Sequence, residues 1–166
     1  MFVDSYKFLD FASRRVMKAW AEREPERPPV WTPLRKPLRE CRVALVSSAG
    51  IARRDQPAFD QEGERRNPWW GDPSLRVLPL GTTERDVRLY HLHIDVRHGE
   101  QDLDCVLPLR RLEEAAQAGL VGSVAPSHYS FMGYLLDLRQ FLADSVPRMI
   151  ARMKSEEVDA ALLVPA

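Results

Sequence analysis

Three of the chain's four histidines fall in one short stretch, YHLHIDVRHGEQDLDC, at His91, His93 and His98, together with Asp95, Asp102 and Asp104. Imidazoles and carboxylates this close can hold a divalent metal or move protons at neutral pH. If residues 91–95 are extended, the two-residue period puts His91, His93 and Asp95 on one face, a weak candidate metal set. The competing reading is a polar loop rim whose histidines bond to backbone. The fourth histidine lies in SVAPSHYSFMG, where Ser127, His128, Tyr129 and Ser130 follow one apolar run and precede another. As a strand-to-helix junction this segment would offer free N–H groups and the positive end of a helix dipole to a carboxylate or phosphate. A capped helix start with no ligand is the plain alternative. SSAGI, with Ser48 and Gly50, is a second junction of the same kind, although a lone glycine does not make a phosphate loop.

Other chemistry is sparse. Cys41 and Cys105 form no CxxC pair, and each is expected to be a buried thiol. No nucleophile elbow, Walker loop or dinucleotide fingerprint occurs. The adjacent tryptophans of NPWWG are expected to divide between core packing and a lid or interface anchor.

These residues need elements to position them. The first helix should run from Ser5 to about Glu24, capped by Asp4 or Ser5, with Phe8, Phe11, Ala12, Val16, Ala19 and Trp20 at helical spacing. Prolines 25, 28 and 29 end it. CRVALVSS reads as a strand buried on both faces and LRVLPL as a second strand, while RLYHLHI is ambiguous. A helix is predicted from Pro108 to a glycine cap at Gly119, followed by a short strand in LVGSVAP. The apolar periodicity then predicts a helix from about Gly133 to Ser155, with a kink or break at Pro147. VDAALLVPA is a final buried-strand pattern. The strand–helix–strand order implies an α/β fold, a mostly parallel sheet flanked by helices, with an N-terminal helical arm. Residues 1–40 form the arm and its proline-rich connector, and 41–166 the α/β domain.

The composition suits one globular domain: 166 residues, 45% hydrophobic, with 24 basic and 24 acidic side chains. Zero formal charge gives no reason to expect nucleic acid. No apolar run approaches the roughly 20 residues of a membrane span, and charges interrupt any signal-like start. A cytoplasmic location is expected.

Several motifs taken in order are similar to a known family. VALVSSAGI resembles the opening of the glycine/sarcosine/betaine reductase component B (selenoprotein B) family, which includes D-proline reductase relatives. DPSLRVLP resembles that family's next strand. HLHIDVRHGEQDLDCVLPLRRLEEAAQAGLVGSVAPSHYSFMG is similar to its central signature. The resemblance covers about residues 40–166.

The resemblance implies reductive cleavage of a C–N bond in a small amino acid or amine of the glycine, betaine, sarcosine or D-proline type. It implies His91, Asp95 and His128 as catalytic candidates. Ser48, Gly50, His93, Asp102, Asp104, Ser127, Tyr129 and Ser130 are the substrate-binding candidates. No cofactor is visible; the family's selenocysteine or cysteine is expected directly after Ala166. The expectation is therefore a chain interrupted at its redox position, incomplete at the C-terminal edge, as an in-frame UGA read as a stop would produce. Implied partners are other reductase subunits or a thioredoxin-like reductant, and an uncovered sheet edge predicts a homo-oligomer. Two alternatives stay open: a non-catalytic module that binds a small ligand or a subunit, and a metal enzyme built on His91, His93 and Asp95.

Overall fold

The computed structural model describes residues 10–22, 28, 30, 32–67 and 70–166. It divides into two units, residues 1–33 and 34–166. In the first, α1 (Phe11–Ala21) is capped by Asp10, whose Oδ1 accepts from the N–H groups of Ala12 and Ser13. The expected caps Asp4 and Ser5 lie outside the described residues.

The second unit is organised on β1 (Arg42–Ser47), an apolar strand buried on both faces. β7 (Ala160–Val164) pairs with one edge of β1 in parallel over its full length. The other edge pairs in parallel with β5 (Ser123–Val124) and then β6 (Ser127–Phe131). β3 (Leu75–Pro79) lies antiparallel on β6 as an edge. The sheet is thus mostly parallel and flanked by helices. On one face Val43, Leu45 and Leu78 pack against α4 (Leu109–Gln117) and a small antiparallel pair, β2 (Ile51–Arg53) with β4 (Val87–Leu89). On the other face Ala44, Val46 and Tyr129 meet Met149 and Met153 of α5 (Val146–Ser155). No helix among the described residues is long and apolar enough to cross a membrane.

Two sequence expectations change here. SHYSFMG is not a helix start. Ser127, His128, Tyr129 and Ser130 form the buried middle of the sheet, so the helix-dipole site is absent. The helix expected from Gly133 begins only near Arg139, opens into a π turn over Phe141–Ser145, and continues as α5. Pro147 sits in the first turn of α5 and lacks the N–H that an α-helical turn would use, which accounts for the wider turn before it. The strand in VDAALLVPA forms as expected, but at a sheet edge, with Leu162 and Leu163 48% and 70% exposed.

His128 repairs the sheet. Val43 sits opposite Val124 and Val46 opposite Tyr129, so the partner strand carries two extra residues in between. Pro126 lies in that bulge. The Leu45 N–H donates to His128 Nδ1 instead of to a carbonyl, at 3.0 Å. Burial, opposed by the nearby Glu156 carboxylate, pushes the imidazole pKa down to about 4, so the ring is neutral at pH 7. At pH above the ordinary 6.5 both folded and unfolded chains hold it neutral, and its stabilisation is fully present. As the pH falls from 6.5 towards 4 the unfolded chain takes up a proton that the folded chain refuses, removing about 3 kcal/mol. Replacing His128→Leu should lower the urea midpoint at pH 8 by an amount equivalent to roughly 1–3 kcal/mol, because the Leu45 N–H loses its acceptor. It should also flatten the loss of stability between pH 6.5 and 4; urea titrations at stepped pH measure both.

Candidate functional site

The carboxyl ends of β1, β6 and β7 lie side by side, and the loops leaving them are tied together. The Ser48 N–H donates to the Val164 carbonyl (3.1 Å) and the Gly133 N–H to the Ser48 carbonyl (2.8 Å). Ser48 Oγ accepts from the Ala166 N–H at 2.9 Å, which leaves the Ser48 hydroxyl proton available to donate. Gly50 takes φ +63°, a left-handed turn that a side chain resists, and bonds through its N–H to Phe131 and through its carbonyl to the Tyr90 N–H. This turn sends the chain into β2 rather than into a helix, so SSAGI is a crossover between sheets and not a phosphate loop.

Beyond β4 the chain turns. His91, His93 and Asp95 are not on one strand face. The His93 N–H donates to His91 Nδ1 (3.1 Å), which puts the proton of a neutral His91 on Nε2. His91 is 6% exposed, and burial, reinforced by His93, lowers its pKa. Its Nε2 lies against Gly133: a Cβ on that glycine would stand 3.2 Å from His91 Nε2 and 2.9 Å from the Ser48 carbonyl oxygen. The His93 ring packs at 4.2 Å on Tyr134 and edge-on to His91 at 5.8 Å. Its Nε2 lies 2.8 Å from Oε1 of Glu64, which is buried. Glu64 is carried by α2 (Gln61–Arg66), capped by Asp60 and anchored by the Gln61 amide on the Tyr90 carbonyl (2.6 Å). Ser48, Gly50, His91, His93, Gly133 and Glu64 therefore form one connected cluster at the strand ends.

The other candidates lie elsewhere. Asp95 caps α3 (Val96–Gln101), and a two-pronged bond from Arg97 holds its pKa down to about 2. Among the described residues no three His, Cys, Asp or Glu side chains gather as a metal site. Asp102 and Asp104, at and within the 3₁₀ turn before α4, neutralise Arg110, with Arg111 also on Asp104. Burial would raise the Asp104 pKa, but these two arginines outweigh it and lower it. Ser127 donates to Glu156 Oε1 (2.7 Å) and Ser130 Oγ accepts from the Ile51 N–H (2.8 Å). The Tyr129 hydroxyl is sealed in, and burial together with Glu156 pushes its pKa up to about 12. Ser127, His128, Tyr129 and Ser130 thus serve the sheet interior. Cys41 is buried as expected; Cys105 is exposed, contrary to expectation, because its short 3₁₀ turn at Leu103–Cys105 buries Leu103 instead.

Glu64 and Gly133 were not singled out by sequence. Glu64 lies in the charged run QEGERR, and only its helical phase distinguishes it from the surface Glu62. Gly133→Ala should force Ser48 and His91 apart and cost roughly 1–3 kcal/mol by overpacking. A lowered denaturation midpoint, with shifted His91 ring signals in NMR spectra, would register it.

No family model matches the chain, and no solved structure matches it. The chain is 32% identical over 136 residues to D-proline reductase subunit gamma of Acetoanaerobium sticklandii, a match covering 82% of this chain and 53% of that protein. The chain thus spans about half the length of the curated relative it matches. The matched relative is one subunit of a D-proline reductase.

Proposed function

We propose that the chain is a component of a reductase of the D-proline or glycine reductase type, acting on a C–N bond of a small amino acid or amine. The observation that carries this reading is the strand-end cluster. The backbone leaving β7 bonds through Ala166 to Ser48, in the same cluster as His91, His93 and Gly133. A thiol or selenol following Ala166 would enter that cluster. The Ser48 hydroxyl and the Nε2–H of neutral His91 are donors suited to a substrate carboxylate. The similarity to a subunit of D-proline reductase supports the same reaction class. The partners on this reading are other subunits of the enzyme, a thioredoxin-like reductant and a second copy of the chain, in the cytoplasm.

A second reading, a non-catalytic module that binds a small ligand or a subunit, is favoured by one observation. Neither Cys41 nor Cys105 belongs to the cluster. Cys41 lies under the Lys36–Pro37 backbone, and Cys105 is on the surface.

Two measurements separate the readings. The first is the coding DNA past Ala166. An in-frame UGA or a cysteine codon with a related frame beyond it supports the reductase, and a UAA or UAG with no such frame supports the binding module. The second is titration of the isotope-labelled chain with D-proline, glycine, betaine and sarcosine. Saturable shifts at Ser48, Gly50, His91 and Gly133 are expected for one of them, weakened tenfold or more by Ser48→Ala. Shifts confined to other surfaces would sink the assignment of the site.

A further inference from the structure

α5 covers its face of the sheet only in part. Arg148, Ala151, Arg152 and Ser155 fall on one side of the helix and border a groove of about 420 Å³. The opposite wall is Leu75 and Val77 of β3 with Tyr129 of β6. These three side chains share a face because Val77 pairs with Tyr129 and strand side chains alternate. The floor is therefore apolar, and two cations stand on the rim. From Arg148 to Ser155 the helix axis is about 10 Å long, the span of a small molecule.

Arg148 and Arg152 sit one helical turn apart, where like charges repel. Arg152 is partly engaged: its Nε donates to Ser127 Oγ (3.0 Å) and to Glu156 Oε1 (2.9 Å). Arg148 Nε donates to the Asp144 carbonyl at 3.3 Å. The terminal amino groups of both arginines have no hydrogen-bond partner among the described residues. Glu156 offsets the charge of Arg152, so the groove keeps the positive charge of Arg148. Guanidinium groups with open terminal donors match a carboxylate in shape and charge.

A second observation lies in the floor. Tyr129 is fully buried, yet its hydroxyl has no hydrogen-bond partner among the described residues. Burial and the nearby Glu156 push its pKa up to about 12 against the pull of Arg152, so the hydroxyl keeps its proton and can donate. Leaving such a donor unpaired is costly. The ring lines the groove while the hydroxyl is closed to water. Arg152, close enough to act on it electrostatically, is a half-exposed side chain that can turn onto a ligand and uncover it.

We propose that this groove binds a small monocarboxylate with an apolar body. The carboxylate is held by the terminal groups of Arg148 and Arg152 and by the Tyr129 hydroxyl, and the apolar body lies on Leu75, Val77 and Ala151. A phosphate would gain nothing from that apolar floor and would lose hydration against it. None of these residues belongs to the strand-end cluster, so the groove is a second site, and it does not depend on the reductase reading.

The test is an NMR titration of the isotope-labelled full-length chain with sodium butyrate. Saturable amide shifts are expected at Leu75, Val77, Tyr129 and Ala151. Butyramide, which has the same shape without the charge, should leave these signals in place. Arg148→Gln should weaken butyrate binding roughly tenfold, and Tyr129→Phe about threefold to tenfold. Tyr129→Phe should not lower the urea midpoint of the chain alone, because the hydroxyl it removes is unpaired; a lowered midpoint would show that hydroxyl already bonded and would count against the site. Saturation by butyramide at the butyrate affinity overturns carboxylate recognition. Inorganic phosphate binding as tightly at the same residues overturns the apolar half. Shifts that grow linearly and appear alike at the paired surface arginines Arg97 and Arg139 mark an adventitious ion only and sink the proposal. Unchanged butyrate affinity in either variant removes that contact and with it the site.

Discussion

One backbone N–H, that of Leu45, governs the architecture. β1 is the strand on which every other parallel strand depends, and it is buried on both faces and paired along both edges. An unpaired N–H in that position would cost as much as a surface element contributes. The strand beside it is interrupted by Pro126 and two surplus residues, so no carbonyl arrives in register. His128 fills the gap with a ring nitrogen. Because the bulge is satisfied in this way, β6 can resume its pairing at Tyr129 and Ser130 and deliver Met132 and Gly133 to the carboxyl end of β1. The geometry of the strand-end cluster is therefore set several residues upstream of it.

Charge is sorted by depth. Most ionic groups form short-range surface pairs, such as Asp95 with Arg97, Asp137 with Arg139, and Asp102 and Asp104 with Arg110. Such pairs are screened and contribute little to stability, but they terminate helices and fix turns. Among the described residues, two carboxylates depart from this rule by keeping one oxygen buried without a partner. Glu156 has Ser127 and Arg152 on its other oxygen, so its environment is already compensated. Among the described residues Glu64 has only a histidine. A polar group tolerated inside a protein without full compensation commonly marks function rather than stability.

The α/β class, the parallel sheet and the termini of β1, β3 and α4 were legible because they rest on apolar periodicity and on glycine and proline punctuation. The strand at SHYSF was not, because its polar side chains look like a loop. They are buried because Ser130 and His128 bond to backbone N–H groups of neighbouring strands, a long-range relation invisible in local pattern. The same limit applies to the site. The clustered histidines stood out, and two of them do come together, but Asp95 was grouped with them by sequence distance and is turned away by its own arginine. Glu64 lies 29 positions from His93 and could be found only in three dimensions.

The pairing of β1 with β7 has a consequence for how the molecule forms during synthesis. Val43 through Ser47 sit opposite Ala160 through Val164, so the first strand of the sheet closes on the last one described. Until that segment leaves the ribosome, one edge of a strand that is apolar from Val43 to Val46 is open, and the long closure makes its pairing slow. The nascent chain must carry this unfinished edge until residues 160–164 have been made. At that stage the open edge can mispair, and a chaperone or a subunit that docks early would shield it.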